Sequence, residues 1–440
     1  MLFYGKIYYI KKEIDMYNLT KQICDLYNLK YKYIDIDCKI ENDLEKVFDR
    51  ISNIAMFNQA KVHSAFRNNK ISEVHFGKTT GYGYDDIGRE AIEKVYADIF
   101  KAEDALVRIQ FVNGTHALST ALMCMLRNGD NLLSITGDPY DTLMETVGSK
   151  EKIGSLVWHG VHYDKIDLVN NEFNYSEIKR YITEKKVKMI FIGRSRGYTS
   201  RKSITISKIE QVIKYIKEID KDVVIMVDNC YGEFVEEREP TEVGADIIAG
   251  SLIKNIGGSL CETGGYIAGK KELVELAAER LTAPGIGKEC GATLGKNKEI
   301  LQGLYMAPVV VKNAVMSVTY AARLMQEFGI KCDPVFDEER TDIVQQIELN
   351  DKHKLIKFIQ GIQKQSPIDS FVLPEPWAMP GYSDEVIMAA GTFVSGASIE
   401  LSADAPIKEP YIAYLQGGIT YESAKLSVLS ATAEMLGDNI

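Results

Sequence analysis

The chain is poor in the groups that hold metals and cross-links, with six histidines and seven cysteines in 440 residues. The cysteines, at 24, 38, 124, 230, 261, 290 and 332, form no CxxC pair, and no histidines fall at HxxxH or HExxH spacing. Neither a zinc site nor a disulfide framework is expected, and reduced thiols point to the cytoplasm. Long apolar runs are missing too: none reaches the roughly 18 residues that a membrane span needs. The opening stretch MLFYGKIYYIKKEIDMYNL is broken by Lys6, Lys11 and Lys12 before a signal-peptide core can form. The protein is expected to be neither exported nor membrane-bound. Positive charge is outnumbered, 52 Lys and Arg against 62 Asp and Glu, for a net charge of -10. That balance excludes a general nucleic-acid binder and leaves room only for a local basic pocket.

What is present reads as a soluble protein with more than one core, because 440 residues exceed a typical single domain. Residues 1–75 form an N-terminal helical segment, with Leu44, Val47, Phe48, Ile51 and Ile54 at helical spacing within 40–70. A glycine-rich loop, FGKTTGYGYDDIGRE, then opens a large α/β domain over 76–305. There the apolar runs at 105–112, 131–136, 187–193, 223–228, 245–250 and 264–269 alternate with amphipathic helices. One of these begins at an apparent capping box, Ser207 to Glu210, and buries Ile209, Val212, Ile213 and Ile216. Such alternation predicts a mainly parallel sheet with helices on both faces. A smaller α+β domain over 306–440 follows, with a long helix and strand-like pieces SFVLP and ASIELS.

Ligands of a parallel sheet bind where its strands end, which selects the loops at 113–116, 137–140, 194–198, 228–231 and 251–254. Asp228 ends the run VVIMVD, and Lys254 follows ADIIAG by a short turn. A lone aspartate there ordinarily caps a turn. A buried carboxylate and a buried amine on one rim instead point to a cofactor that both address. Pyridoxal 5'-phosphate asks for a lysine to form a Schiff base, a carboxylate at the pyridine nitrogen, and amides at a helix N-terminus for the phosphate. NGTHALSTAL supplies the last, through Gly114 and Thr115.

On these residues the sequence becomes recognisable. VDNCYGEF with AGSLIKNIGG resembles the lysine-bearing segment of the fold-type I pyridoxal-phosphate enzymes that act on cystathionine and methionine. KTTGYGYDDIGRE, NGTHA, TGDPYDTL, RSRGY and ASIELSADAPIKEPY look more closely like the bacterial aluminium-resistance, methionine gamma-lyase-like family, over about 60 to 430. The resemblance implies an aspartate aminotransferase-like fold with Lys254 as the Schiff-base lysine and Asp228 at the ring nitrogen. Gly114, Thr115 and Ser251 would bind the phosphate, and Tyr140 would stack on the ring and assist proton transfer. It places Tyr84 across a subunit contact, so at least a homodimer, and more naturally a tetramer with shared sites, is expected.

The chain departs from the better-known lyases in three places. Ile253 stands where they carry a hydroxyl residue. The arginine that follows their cross-subunit tyrosine is delayed to Arg89. No arginine follows Arg340, so a substrate carboxylate falls to Arg194, Arg196 or Lys408. Arg196 is preferred for its fork geometry, although an ion pair accounts for it equally. His116 reads as a capping or packing residue, Cys230 as packing, Arg108 as a partner of buried groups at a subunit or domain contact, and Gln416 as a backbone contact in a tight turn.

The function implied is β- or γ-elimination from a sulfur-containing amino acid such as cystathionine, cysteine or methionine, with Lys254, its pKa lowered by desolvation, as base. An aminotransferase, aldolase or decarboxylase on the same fold is the alternative. A non-catalytic metal-tolerance protein comes third, since acidic residues without ligand spacing usually form a solvated surface.

Overall fold

Between residues 104 and 281, short runs of branched apolar residues alternate with amphipathic ones, and in the computed structural model they become one layered sheet. The structure describes residues 29–379 and 384–438, with 19, 21, 22 and 25–27 before them. β1 (Asp104–Arg108), β2 (Asn131–Ser134), β3 (His162–Lys165), β4 (Val187–Gly193), β5 (Val224–Asp228), β6 (Ile247–Ser251) and β7 (Gly265–Gly269) form a seven-stranded sheet in the order β1-β7-β6-β5-β4-β2-β3. The pairs from β3 to β6 are parallel, and β7 runs antiparallel to both its neighbours. The mainly parallel sheet is therefore present, with one strand reversed. Ile225, Met226, Val227, Ile247, Ile248 and Ala249 are fully buried, as strands covered on both faces require.

The helix Ile206–Ile219 buries the expected face, Ile209, Val212, Ile213 and Ile216. Its cap differs from expectation. Thr205, in an extended conformation, accepts from the Lys208 amide at 3.4 Å, and Ser207 is already inside the helix. The helix after β1 spans Gly114–Met123 and ends at Cys124, short of the glycine at 129.

The described chain divides into two compact units. One comprises residues 54–311 with 340–342, and the other the residues up to 53 with 312–339 and 343 onward. The boundaries fall inside two long helices, Lys32–Asn68 and Asn297–Glu327, where composition drew them at 75/76 and 305/306. The reason lies in the core of the second unit. Leu29, Tyr33, Ile34, Ile40 and Leu44 pack there with Tyr320, Phe358, Ile387 and Val428.

That unit carries an antiparallel sheet of β8 (Lys331–Asp333), β9 (Val344–Glu348), β10 (Val386–Ala389), β11 (Ser402–Pro406) and β12 (Ile412–Gln416), in the order β10-β11-β12-β9-β8. SFVLP is no strand: Phe371, Val372 and Leu373 are exposed. ASIELS only enters β11 at its last residue. Gln416 donates to the Asp404 carboxylate at 3.0 Å rather than to backbone, and Gly417 and Gly418 make the turn with φ of 78° and 138°. Among the described residues no helix is long and apolar enough to cross a membrane, and no cluster of metal-ligating side chains occurs.

Candidate active site

In the parallel pairing Gly193 faces Asp228 and Asp228 faces Ala249, so the loops after β4, β5 and β6 open on one edge. Asp228, the last residue of β5, is buried and accepts from the Cys230 amide at 3.0 Å. Burial raises its carboxyl above the ordinary range, while Lys254 and that amide pull the other way without cancelling it.

Lys254 lies just past β6, with its Nζ 3.8 Å from the centre of the Tyr231 ring. Burial lowers this amine, as expected. Cys230, Tyr231, Tyr140 and Asp228 outweigh the burial, so the net shift is upward, which corrects the lowered pKa inferred from desolvation alone.

The helix Gly114–Met123 starts beside this pair because Asn113 caps it. The Asn113 Oδ1 accepts from the His116 amide at 2.9 Å, and the Ala117 amide returns to the Asn113 carbonyl. The amides of Gly114 and Thr115 are left without an acceptor among the described residues. Ser251, at the end of β6, faces them. A Cβ on Gly114 would stand 2.9 Å from the Ser251 Cβ, so only glycine admits this approach. The Ser251 Oγ is buried and has no hydrogen-bond partner. Two open amides, the positive end of a helix and an unpaired hydroxyl form a cradle for an oxyanion, which a phosphate group fits.

Tyr140 precedes the helix Asp141–Val147, and its hydroxyl lies 2.9 Å from the Thr115 Oγ1. Burial first, then Asp228 and Cys230, raise this phenol, so it holds its proton at neutral pH. His116 is a packing residue. Its Nδ1 accepts from the Val112 amide at 3.2 Å, its ring meets Phe111 edge-on, and burial lowers its pKa. Cys230 packs, with burial and then Asp228 pushing its thiol well above the ordinary value.

The arginines separate. Arg194 is wholly buried and donates to Asn229 (2.7 Å), Glu239 (3.4 Å), Glu236 (3.2 Å) and Thr341 (3.3 Å). It is a structural hub, and the substrate role considered for it is withdrawn. Arg196 is buried, with its amide donating to the Ser203 hydroxyl at 3.0 Å. Arg201, not singled out from sequence, donates to the carbonyls of Gly193 and Ser195. Arg108 forms a buried ion pair with Glu93 inside the same unit. Arg89 is also buried and donates to the carbonyls of Gly83, Gly291 and Glu289, which ties down the loop that carries Tyr84. Tyr84 itself is exposed and stacks on Tyr82 with ring centres 5.4 Å apart.

Two neighbours of the lysine escaped sequence reasoning. Tyr231 adopts a left-handed backbone, φ 71°, which non-glycine residues rarely do and which places its ring against the amine. Glu233, two residues on, is wholly buried. Only the run DNCYGE after a buried strand marks them, and it does not reveal the turn.

The profile of the methionine gamma-lyase family matches residues 33–436. YnbB of Bacillus subtilis, itself uncharacterised, is 48% identical over 401 residues, 90% of this chain and 95% of that one. A carbon-sulfur lyase involved in aluminium resistance from Clostridium novyi is 48% identical with a TM-score of 0.91, covering 94% of this chain and 98% of its own. The pyridoxal-5'-phosphate-dependent protein YhfS of Escherichia coli superposes with a TM-score of 0.60, covering 87% and 97%. At 18% identity it shows the shared fold alone.

Proposed function

The chain belongs to the methionine gamma-lyase family, and from that premise we propose that it is a pyridoxal-phosphate-dependent carbon-sulfur lyase. It would eliminate a thiol from Cβ or Cγ of a sulfur-containing amino acid such as cystathionine, cysteine or methionine. One juxtaposition carries the reading: the half-buried Lys254 and the buried Asp228 share a rim with the unpaired Ser251 hydroxyl and the open amides of Gly114 and Thr115.

In this reading the Gly114 and Thr115 amides and the Ser251 Oγ hold the phosphate. Asp228 would keep a proton at the ring nitrogen, and Lys254 would hold the aldehyde carbon until substrate arrives. When bound, the cofactor supplies an electron sink for negative charge at the substrate Cα. Once the substrate amine has displaced it, Lys254 Nζ, released as a neutral amine, would take the Cα proton. Tyr140 would lie against the ring, and its hydroxyl, protonated at neutral pH, would donate to the departing sulfur. Arg196 clamps the substrate carboxylate. Water is consumed, and an oxo acid, ammonia and a thiol leave.

The molecule is further proposed to work as at least a dimer. Tyr82 and Tyr84 are exposed and stacked on one another, and exposed paired rings favour burial against a second copy. The enzymatic reading is tested by incubating purified protein with cysteine, cystathionine, methionine and homocysteine and measuring ammonia, oxo acid and thiol. Release of all three, abolished by Lys254→Ala, is the expected result. Amino transfer without ammonia, or cofactor absorbance unchanged by that substitution, overturns it.

A further inference from the structure

Glu233, two residues past Tyr231 in the turn after β5, is wholly buried and has no part in the chemistry above. Its Oε1 accepts from the Tyr266 hydroxyl at 2.8 Å, and its Oε2 is buried without any partner. Its main-chain carbonyl accepts from the Asn255 Nδ2 at 3.1 Å, and the same nitrogen donates to the Tyr231 carbonyl at 2.9 Å. Two carbonyls on one nitrogen settle which way the Asn255 amide points, because a flip would set its oxygen against both. The Asn255 Oδ1 therefore lies on the other side, and it too is buried without a partner. Two acceptor oxygens, on residues already joined to each other, are each left one donor short, an arrangement that native interiors avoid. A proton on Oε2 would make that oxygen a donor, which a carboxylate oxygen is not, and the Asn255 Oδ1 is an acceptor that has none.

We propose that Glu233 is a positioning residue for Lys254, a neutral acid whose Oε2–H donates to the Asn255 Oδ1. It thereby locks the residue next to the lysine and the Tyr231 carbonyl beneath it. The inference rests on Lys254 being the functional amine, but its test does not. Burial raises the Glu233 carboxyl from 4.5 to about 8; its own main-chain amide, then Tyr266 and Lys254, oppose the rise without cancelling it, and Glu239 adds to it. Tyr96 and Cys230 also face it, and both hold their protons well above their ordinary values, so neither adds charge at neutral pH. Glu239 is engaged by Arg194 and Asn229.

An acid raised on folding binds its proton more tightly in the folded than in the unfolded chain. Its stabilising contribution is present below the unfolded value and is lost as pH climbs toward the folded one. The test is the thermal midpoint of the full-length, cofactor-free protein from about pH 5 to about pH 9. Wild type should lose stability across this window. Glu233→Gln, a permanently neutral isostere able to donate to Asn255, should match it at the acid end and lose less between about pH 5 and about pH 8. Tyr266→Phe, which removes a bond favouring the charged form, should move the wild-type fall to higher pH. In the loaded protein, Glu233→Ala should weaken pyridoxal phosphate binding about tenfold, and Glu233→Gln should restore it to within about twofold. Parallel midpoint curves for wild type and Glu233→Gln would overturn the proposal, even if lyase activity is found. A shallower curve for Glu233→Gln would support it, even if none is.

Discussion

Asp228 and Lys254 set one another's protonation across a dry turn, and each can be read through the other. Asp228 holds the amine up, so Asp228→Asn should lower the Lys254 pKa and raise the fraction of free amine at neutral pH. Limited amine labelling of the cofactor-free protein, read by peptide mass spectrometry, should then modify Lys254 several-fold faster. Unchanged labelling would mean that the aspartate does not govern the lysine. Arg194 predicts the opposite kind of result. Arg194→Met leaves Glu239 buried without its guanidinium and should cost about 3–5 kcal/mol, seen as a lower denaturation midpoint. A variant as stable as wild type would reopen a ligand role for this arginine. At this scale the sequence was legible where chemistry coincides with a strand end. Asp228, Ser251 and Lys254 stand at the close of apolar runs. Tyr231 and Glu233 depend on a left-handed turn, which no residue type in DNCYGE announces.

Elements were legible in proportion to their burial. β4, β5 and β6 are continuous apolar runs and lie where those runs predicted, within two residues. β3, of sequence HYDK, is an edge strand with partly exposed residues, so neither a run nor an alternation betrays it. SFVLP failed in the reverse sense, being apolar yet exposed and unpaired. The helix Gly114–Met123 matters through its first turn, and Gly114→Ala tests it. The added methyl meets Ser251 at 2.9 Å on the cradle itself, so affinity for pyridoxal phosphate should fall about 10- to 100-fold. Equilibrium dialysis measures it. Undiminished affinity would place the phosphate elsewhere.

For the whole molecule, domain limits were the least legible feature. The helix Lys32–Asn68 passes from one compact unit to the other after residue 53, and composition does not mark the change. Assembly is the property most open to test. Tyr82→Asp with Tyr84→Asp places two charges on exposed rings and should weaken self-association by about 100-fold or more. Light scattering at micromolar concentration should then find a smaller particle with unchanged circular dichroism. Equal mass for variant and wild type would remove this surface from the interface. The loop bearing those rings is held by Arg89 through three carbonyls of its own chain. A surface tied from within arrives at an encounter already shaped, so ordering entropy is spent during folding rather than at docking. Association through it should proceed as rigid bodies in a single kinetic phase, with a heat-capacity change accounted for by the apolar area covered.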